Sequence, residues 1–284
     1  MRVLITGAGG QLGRDLQIHC EASGDEVTAA DHAALDVGDR DAVYGAITSV
    51  RPEVVLHAGA YTAVDACESE VDTAYRVNAL GTRWVADASR RVGAHLVYVS
   101  TDYVFDGTKL GPYVEWDRPN PASVYGASKL GGELEVAAHA PGATVVRTSW
   151  VCGEHGGNMV KTVLRLADRP ELAFVDDQRG CPSFTTDLAV GIRRLAAARV
   201  PGTFHLTNQG DVTWYEFVRD ILAAAGHDPA KVRPIKTEQL DPPRPAPRPA
   251  NSVLDNAALR LAGFPLLPDY HEPLARLVAR LTSA

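Results

Sequence analysis

Tyr125 and Lys129, in Tyr125-Gly-Ala-Ser-Lys129, stand four positions apart. On a helix this spacing puts a phenol and an ammonium on one face. An ammonium beside a phenol favours the phenolate, and so draws the tyrosine pKa below its ordinary value of about 10. A tyrosine tuned in this way can protonate an alkoxide as hydride arrives at a carbonyl carbon. The Y-x-x-x-K spacing alone also arises by chance, on surface helices with a packed tyrosine. Its place in the chain gives it weight, because it opens the helical pattern that follows an apolar run ending in Ser100-Thr101-Asp102. Thr101 is the third candidate, since its hydroxyl can donate to a substrate oxygen or adjust the tyrosine proton. A threonine that only caps the strand end is the plainer alternative for Thr101 taken alone.

A second group of residues is suited to phosphate. Gly7-Ala8-Gly9-Gly10-Gln11-Leu12-Gly13 has glycines at 7, 10 and 13, the spacing G-x-x-G-x-x-G. Such a loop turns tightly, lets backbone approach a pyrophosphate and aims a helix N-terminus at the charge. A glycine pattern alone is weak evidence, and a turn built for packing is its rival. Here it follows an apolar run and opens a helical pattern, the context the motif requires. Asp31 ends the second apolar run, 18 residues past Gly13, where a ribose-binding acid is expected. Its carboxylate repels a 2′-phosphate and favours NADH, whereas Arg14 and His32 offset that repulsion. The glycine spacing resembles that of the extended short-chain dehydrogenase/reductase superfamily.

The elements that must position these residues follow from the apolar pattern. Strands are predicted at Arg2 to Thr6, Glu26 to Ala30, Val54 to His57, His95 to Ser100 and Ala143 to Arg147. Helices are predicted at Gln11 to Glu21, Arg40 to Val50 with Asp39 as N-cap, Val71 to Val92, and Val124 to His139. Apolar, β-branched strands alternating with helices imply an α/β fold, a doubly wound parallel sheet of Rossmann type. Ligands in such folds lie outside the carboxyl ends of the strands, where the glycine loop, Thr101 and Tyr125 would meet. Residues 1–150 are expected to form the dinucleotide-binding domain, with a return segment near 185–205. Residues 151–284 are expected to form mainly a smaller substrate-binding lobe. Within the latter, Asp241 to Pro249 holds five prolines in nine residues, so it is neither helix nor central strand. It is either a flexible linker or a stiff loop over a site, and the apolar segment after it places it inside the fold.

Composition narrows the partners. A net charge of −7 argues against a nucleic-acid or anionic-membrane surface, which needs a basic excess. No stretch approaches the roughly 20 apolar residues of a membrane span, and Val3-Leu4-Ile5 is too short for a signal-peptide core. Cys20, Cys67, Cys152 and Cys181 are scattered, without C-x-x-C or zinc spacing. They are expected to be reduced, buried thiols of a cytoplasmic protein.

Several pieces together carry a narrower resemblance: Gly10-Gln-Leu-Gly13, Leu35-Asp-Val37, Ala60-Tyr-Thr-Ala-Val-Asp65, Val77-Asn-Ala-Leu-Gly81, Ser100-Thr-Asp-Tyr-Val-Phe-Asp-Gly107, Tyr125-Gly-Ala-Ser-Lys129, Arg147-Thr-Ser-Trp-Val151, Asp176-Asp-Gln178 and Arg248-Pro-Ala-Asn-Ser252. With them the chain resembles the dTDP-4-dehydrorhamnose reductases, from residue 2 to about residue 280. The resemblance implies reduction of the C4 keto group of dTDP-4-dehydro-β-L-rhamnose with NADPH, NADH being the alternative. It implies that Tyr125 donates the proton, that Lys129 holds the nicotinamide ribose, and that Thr101 adjusts the acid. Gly10, Gln11 and Leu12 resemble the pyrophosphate contact, Asp36 and Val37 the adenine contact, and Ala60, Tyr61 and Thr62 the segment running along the cofactor. Trp150 resembles an aromatic wall for the sugar nucleotide, and Asp102 and Arg248 resemble substrate-loop contacts.

One departure concerns metal. Some members bind magnesium at a dimer interface through acidic residues, but after Gly180-Cys-Pro-Ser183 this chain has Thr185-Thr186, with Asp187 beyond. No required metal is therefore expected, and the chain is expected to be a monomer or a homodimer without a metal bridge. Another departure, Gly59 where alanine is usual, is harmless beside a cofactor. The rival functions are a 4-ketoreductase for another nucleotide-linked deoxysugar and a non-catalytic cofactor-binding subunit. Asp65 and Glu68 read as helix-start residues, Trp214 to Val218 as core packing, His155 as a loop residue, and Asp176-Asp177 as a strand-end pair.

Overall fold

The computed structural model describes residues 1–283. Its centre is a six-stranded sheet: β1 (Arg2–Thr6), β2 (Glu26–Ala30), β3 (Val54–His57), β4 (His95–Thr101), β5 (Thr144–Thr148) and, from the second half of the chain, Gly202–His205. Every neighbouring pair is parallel. The order is β2, β1, β3, β4, β5, then Gly202–His205. The chain therefore reverses its direction of sheet growth between β1 and β3, which opens a crevice at their carboxyl ends.

Each strand alternates its side chains between two apolar layers. On one side Val3, Ile5, Leu56 and Val97 pack on Leu12, Leu16 and Cys20 of α1 (Gln11–Ala22) and on Leu188, Ile192 and Leu195 of the helix Thr185–Ala198. On the other side Leu4, Val55, Leu96 and Val145 pack on Val43 and Ile47 of α2 (Arg40–Val50), on Val85 and Ala86, and on Val136 of the helix Val124–His139. The Asp39 carboxylate caps α2 as predicted, accepting from the N–H groups of Asp41 and Ala42.

The predicted helix from Val71 to Val92 needs correction. Here called α3, it is α-helical at Val71–Tyr75, takes a π-helical course at Arg76–Gly81, and resumes at Thr82–Val92. Such bulges are frequent at functional sites, and this one carries Asn78. The next helix, α4 (Val124–His139), starts where predicted, with the Ser123 hydroxyl accepting from the Gly126 N–H. Strand β4 runs one residue further than predicted and includes Thr101.

A third apolar cluster, with Val160, Val163, Phe184, Phe217, Ile221, Leu274 and Val278, is drawn wholly from residues after 150. The proline-rich segment is a fixed loop rather than a linker. Ala246 is buried within it, and its N–H donates to the Asp65 carboxylate at 3.2 Å. All four cysteines are free and buried. Among the described residues no helix is long and apolar enough to cross a membrane.

Candidate active site

The glycine turn follows β1 directly. Gly7 has φ +71°, a left-handed backbone that only glycine adopts without strain. At Gly13 a Cβ would lie 2.1 Å from the Gly7 carbonyl oxygen, so α1 closes onto the turn only because that position is glycine. The residue ahead of α1, Gly10, has no side chain to satisfy the first-turn N–H groups. Those groups and the positive end of the helix dipole form an anion seat. The Leu12 side chain lies in the core, so only its backbone is available at this seat. The Gln11 side chain is also turned elsewhere, donating to Gly157 O at 3.0 Å and accepting from Asn158 at 2.9 Å.

Asp31 stands at the rim beside Gly9, exposed, and accepts from the Ala34 N–H. Asp36 accepts from Gly38 N–H at 2.9 Å and from Arg76 at 3.0 Å. Its partial burial works upward on the pKa, but those bonds and the guanidinium charge hold it below the usual carboxylate value. Val37 is buried against Gly81 of the π-helical turn. Ala60, Tyr61 and Thr62 follow β3, as expected of a segment along the crevice. Tyr61 is held there by its backbone: its N–H donates to Asn78 Oδ1 at 2.8 Å and its carbonyl accepts from Asn78 Nδ2 at 3.0 Å. Its phenol bonds Glu70.

Tyr125, Lys129 and Thr101 do come together at the carboxyl end of β4. All three are buried, and Tyr103 packs edge-on to Tyr125 at 5.6 Å between ring centroids. The electrostatics differ from the expectation. Burial pushes the Tyr125 phenol well above its ordinary range, with the Thr101 hydroxyl opposing. Lys129 does not pull it down. Its ammonium donates to Val99 O at 2.8 Å and lies over the Tyr98 ring at 4.1 Å. Burial lowers the lysine to about 7, with Glu133 working the other way. The spacing correctly put both groups on one face, but desolvation, which spacing does not report, dominates both pKa values.

The residues assigned to substrate by resemblance are partly occupied within the chain. Asp102 is an internal anchor, accepting from Thr101 Oγ1 at 3.0 Å and Ser149 Oγ at 2.8 Å, and burial raises its pKa. Arg248 donates to Asp65 at 2.9 Å and to Ala246 O at 3.0 Å, and lies 6.0 Å from the Tyr103 ring centroid. Arg244 reaches the same Asp65 oxygen at 3.6 Å. Asp65 thus fixes the arginine loop over Tyr103, beyond its predicted helix-start role. Trp150 has φ +43°, a strained backbone for a bulky residue. Its indole stacks on Trp214 at 3.4 Å with a 4° interplanar angle. Trp214 packs on the third apolar cluster, as read from the sequence, and also backs the Trp150 ring.

Asn78 was missed as a site residue. It is 1% exposed, and besides clamping Tyr61 it donates to Ser128 Oγ at 2.9 Å, on the helix of Tyr125. A polar asparagine amid an apolar helical pattern was the available signal. Thr185 starts a helix after Ser183-Phe184, and Asp187 is bonded to Asn208 and Arg276. Among the described residues no group of three or more His, Cys, Asp or Glu is placed to hold a metal.

An anion seat after β1 and a buried Tyr-Lys-Thr group at the carboxyl end of β4, in the same parallel sheet, define a dinucleotide-dependent oxidoreductase of the Rossmann class. The chain belongs to the family described as the RmlD substrate binding domain, whose model matches residues 1–283. It is 42% identical to a dTDP-4-dehydrorhamnose reductase of Streptomyces griseus, over all of this chain and 92% of that one. It is 41% identical to a probable dTDP-4,6-dihydroxy-2-methyloxan-3-one 4-ketoreductase of Streptomyces antibioticus, over 96% of this chain and 93% of that one. A crystal structure of dTDP-4-dehydrorhamnose reductase from Bacillus anthracis in complex with NADP superposes with a TM-score of 0.94 at 41% identity, covering 98% of this chain and 99% of the other.

Proposed function

We propose that this chain reduces the C4 ketone of dTDP-4-dehydro-β-L-rhamnose to dTDP-L-rhamnose with NADPH. The observation that carries the proposal is the gathering of Tyr125, Thr101 and Lys129 at the end of β4, in the sheet whose β1 leads into the glycine turn. The anion seat at Gly10 to Gly13 suits a pyrophosphate, with Asp31, Asp36 and Val37 at the adenosine end and the Ala60 to Thr62 backbone along the crevice. NADPH, when bound, supplies the hydride.

The protein's own groups do the rest. Because burial raises the Tyr125 phenol, its proton is fully in place at neutral pH. The Tyr125 Oη–H bond breaks as that proton passes to the substrate oxygen, which has gained the electron pair of the former C=O π bond. The Thr101 hydroxyl stabilises the phenolate left behind, in a pocket where low polarity strengthens the interaction, and Lys129 would hold the nicotinamide ribose. The Trp150 and Trp214 stack backs the sugar nucleotide, and Arg248 supplies a guanidinium for its diphosphate. In this proposal the segment after residue 150 contributes mainly to substrate and the segment before it mainly to cofactor. NADPH is favoured by the NADP-bound relative, although Asp31 leaves NADH as the alternative.

A second substrate is favoured by one observation, the likeness to the 4-ketoreductase of Streptomyces antibioticus. The test is purified protein with NADPH and each 4-keto-6-deoxysugar nucleotide, followed by cofactor oxidation and by NMR of the product. Oxidation with the rhamnose precursor, giving dTDP-L-rhamnose, supports the proposal. Turnover of another keto sugar alone supports the second substrate. Cofactor binding without turnover of either makes the chain a binding subunit.

A further inference from the structure

Glu133 lies one helical turn beyond Lys129 on α4 and is 8% exposed. A carboxylate persists in such a place only when it is paired and hydrogen-bonded. Arg147 supplies a two-pronged pair, Nε to Oε1 at 2.9 Å and Nη2 to Oε2 at 2.7 Å. Ser100 Oγ donates to Oε1 at 2.6 Å. Ser100 and Arg147 are direct partners in the β4–β5 register, and the next pair is Thr101 with Thr148. Glu133 therefore clips the two strands together one residue before Thr101. One turn back, Lys129 donates to Val99 O. Two side chains on one face of α4 thus grip consecutive residues of β4, just ahead of the residue that meets Tyr125.

Holding elements together does not by itself require charge, since apolar residues of similar volume often replace a buried ion pair at no loss of stability. What only a carboxylate adds is negative charge beside Lys129. The groups around that ammonium are the Tyr98 ring and Val99 O from β4, His57 from β3, and Glu133 on its own helix. Burial and the lysine charge keep His57 neutral, pushed down to about 3. Burial pushes the Tyr98 and Tyr125 phenols up, so both are neutral. Beyond Arg147, whose Nη1 donates to Glu115 O at 3.4 Å, the Glu115 carboxyl faces His205 N–H and is itself raised by burial. Glu133 is the anion among the groups that face Lys129.

We propose that Glu133 is a positioning residue for the reduction: it fixes the α4 helix to the Thr101 strand end and sets a negative charge beside Lys129. It acts through Lys129 and Thr101 and does not touch substrate. The inference rests on the assignment of Tyr125 and Lys129 as the reacting pair.

The test is the pH dependence of kcat/KM for the full chain with NADPH and the 4-keto sugar nucleotide. Three proteins are compared: the wild type, Glu133→Gln, and the double variant Glu133→Gln with Arg147→Gln. The amide keeps oxygen and nitrogen in place but removes the charge. The double variant leaves no unpaired buried guanidinium and gives the readout if the single variant fails to fold. The expected result is an alkaline limb displaced to lower pH by about 1 unit in Glu133→Gln, and by less in the double variant, which also removes the Arg147 charge, with kcat falling more than KM rises and Glu133→Asp restoring part of the shift. A limb at its wild-type position, with the rate reduced evenly at every pH, overturns the proposal by showing a structural role only. A wild-type chain that binds NADPH but reduces no keto sugar overturns the reaction assignment, and this inference with it. A wild-type chain that is active beside variants whose limb does not move overturns this inference alone.

Discussion

Replacing Asn78 with alanine removes three hydrogen bonds at the point where cofactor segment and reacting helix meet. The amide accepts from Tyr61 N–H at 2.8 Å and donates to Tyr61 O at 3.0 Å and Ser128 Oγ at 2.9 Å, from a site 1% exposed. At a net value of about 1 kcal/mol each, their loss costs about 3 kcal/mol. For a chain of this size that lowers Tm by about 8 °C. The freed Tyr61 segment no longer presents its backbone to the crevice in one conformation, and NADPH affinity is expected to fall by about tenfold, equivalent to about 1.4 kcal/mol. Asn78→Asp keeps the acceptor for Tyr61 N–H but turns a carboxylate oxygen onto Tyr61 O in a site 1% exposed, so its Tm is expected to fall at least as far as that of Asn78→Ala. Thermal unfolding and fluorescence titration with NADPH measure both effects. An Asn78→Ala protein with Tm within about 1 °C of wild type and unchanged NADPH affinity would refute the role of Asn78 as the clamp of this segment.

The buried histidines set an acid limit to stability. His57 and His205 are pushed down to about 3 by burial, against an ordinary value of 6.5. Between those values the unfolded chain takes up protons that the folded chain refuses, so stability falls as pH drops from 6.5 towards 3. Each histidine contributes at most about 1.4 kcal/mol per pH unit. Urea unfolding at pH 7 and pH 5 measures the slope, and His57→Gln is expected to flatten it; an equal slope in the variant contradicts the assignment. Trp150→Ala removes the stack on Trp214, worth about 1 kcal/mol beyond the area it buries. It is expected to raise KM for the nucleotide sugar with NADPH affinity unchanged, and an unchanged KM in steady-state kinetics counts against the aromatic wall.

The sheet was legible because its causes are local. Strands β1, β2 and β3 have the predicted bounds, set by short apolar runs between turn residues. The glycine turn and the Asp39 cap depend on neighbours within a few residues and were equally visible. The π-helical course of α3 was not, because it depends on how Asn78 meets Tyr61 and Ser128 across the fold. The same holds for the destination of charged groups. Tyr125 and Lys129 share a face as their spacing requires, yet the lysine bonds to Val99 O on another element, and burial sets the phenol. Asp65 looked like a helix-start residue because its partner, Arg248, is 183 positions away. Trp214 was legible as core packing; its stack on Trp150, which reaches it through an uncommon left-handed backbone, was not. Sequence spacing shows which side chains share a face. It does not show which distant group a buried polar side chain must find, although burial obliges it to find one.

The central claim, that Tyr125 is the proton donor of a keto-sugar reductase, is tested most directly by Tyr125→Phe. The ring and its packing on Tyr103 remain, and only the hydroxyl is lost. With NADPH and dTDP-4-dehydro-β-L-rhamnose, kcat is expected to fall by about 10²–10⁴ while NADPH affinity stays near that of the wild type. A Tyr125→Phe protein that reduces the keto sugar at the wild-type rate contradicts the claim and places the acid elsewhere.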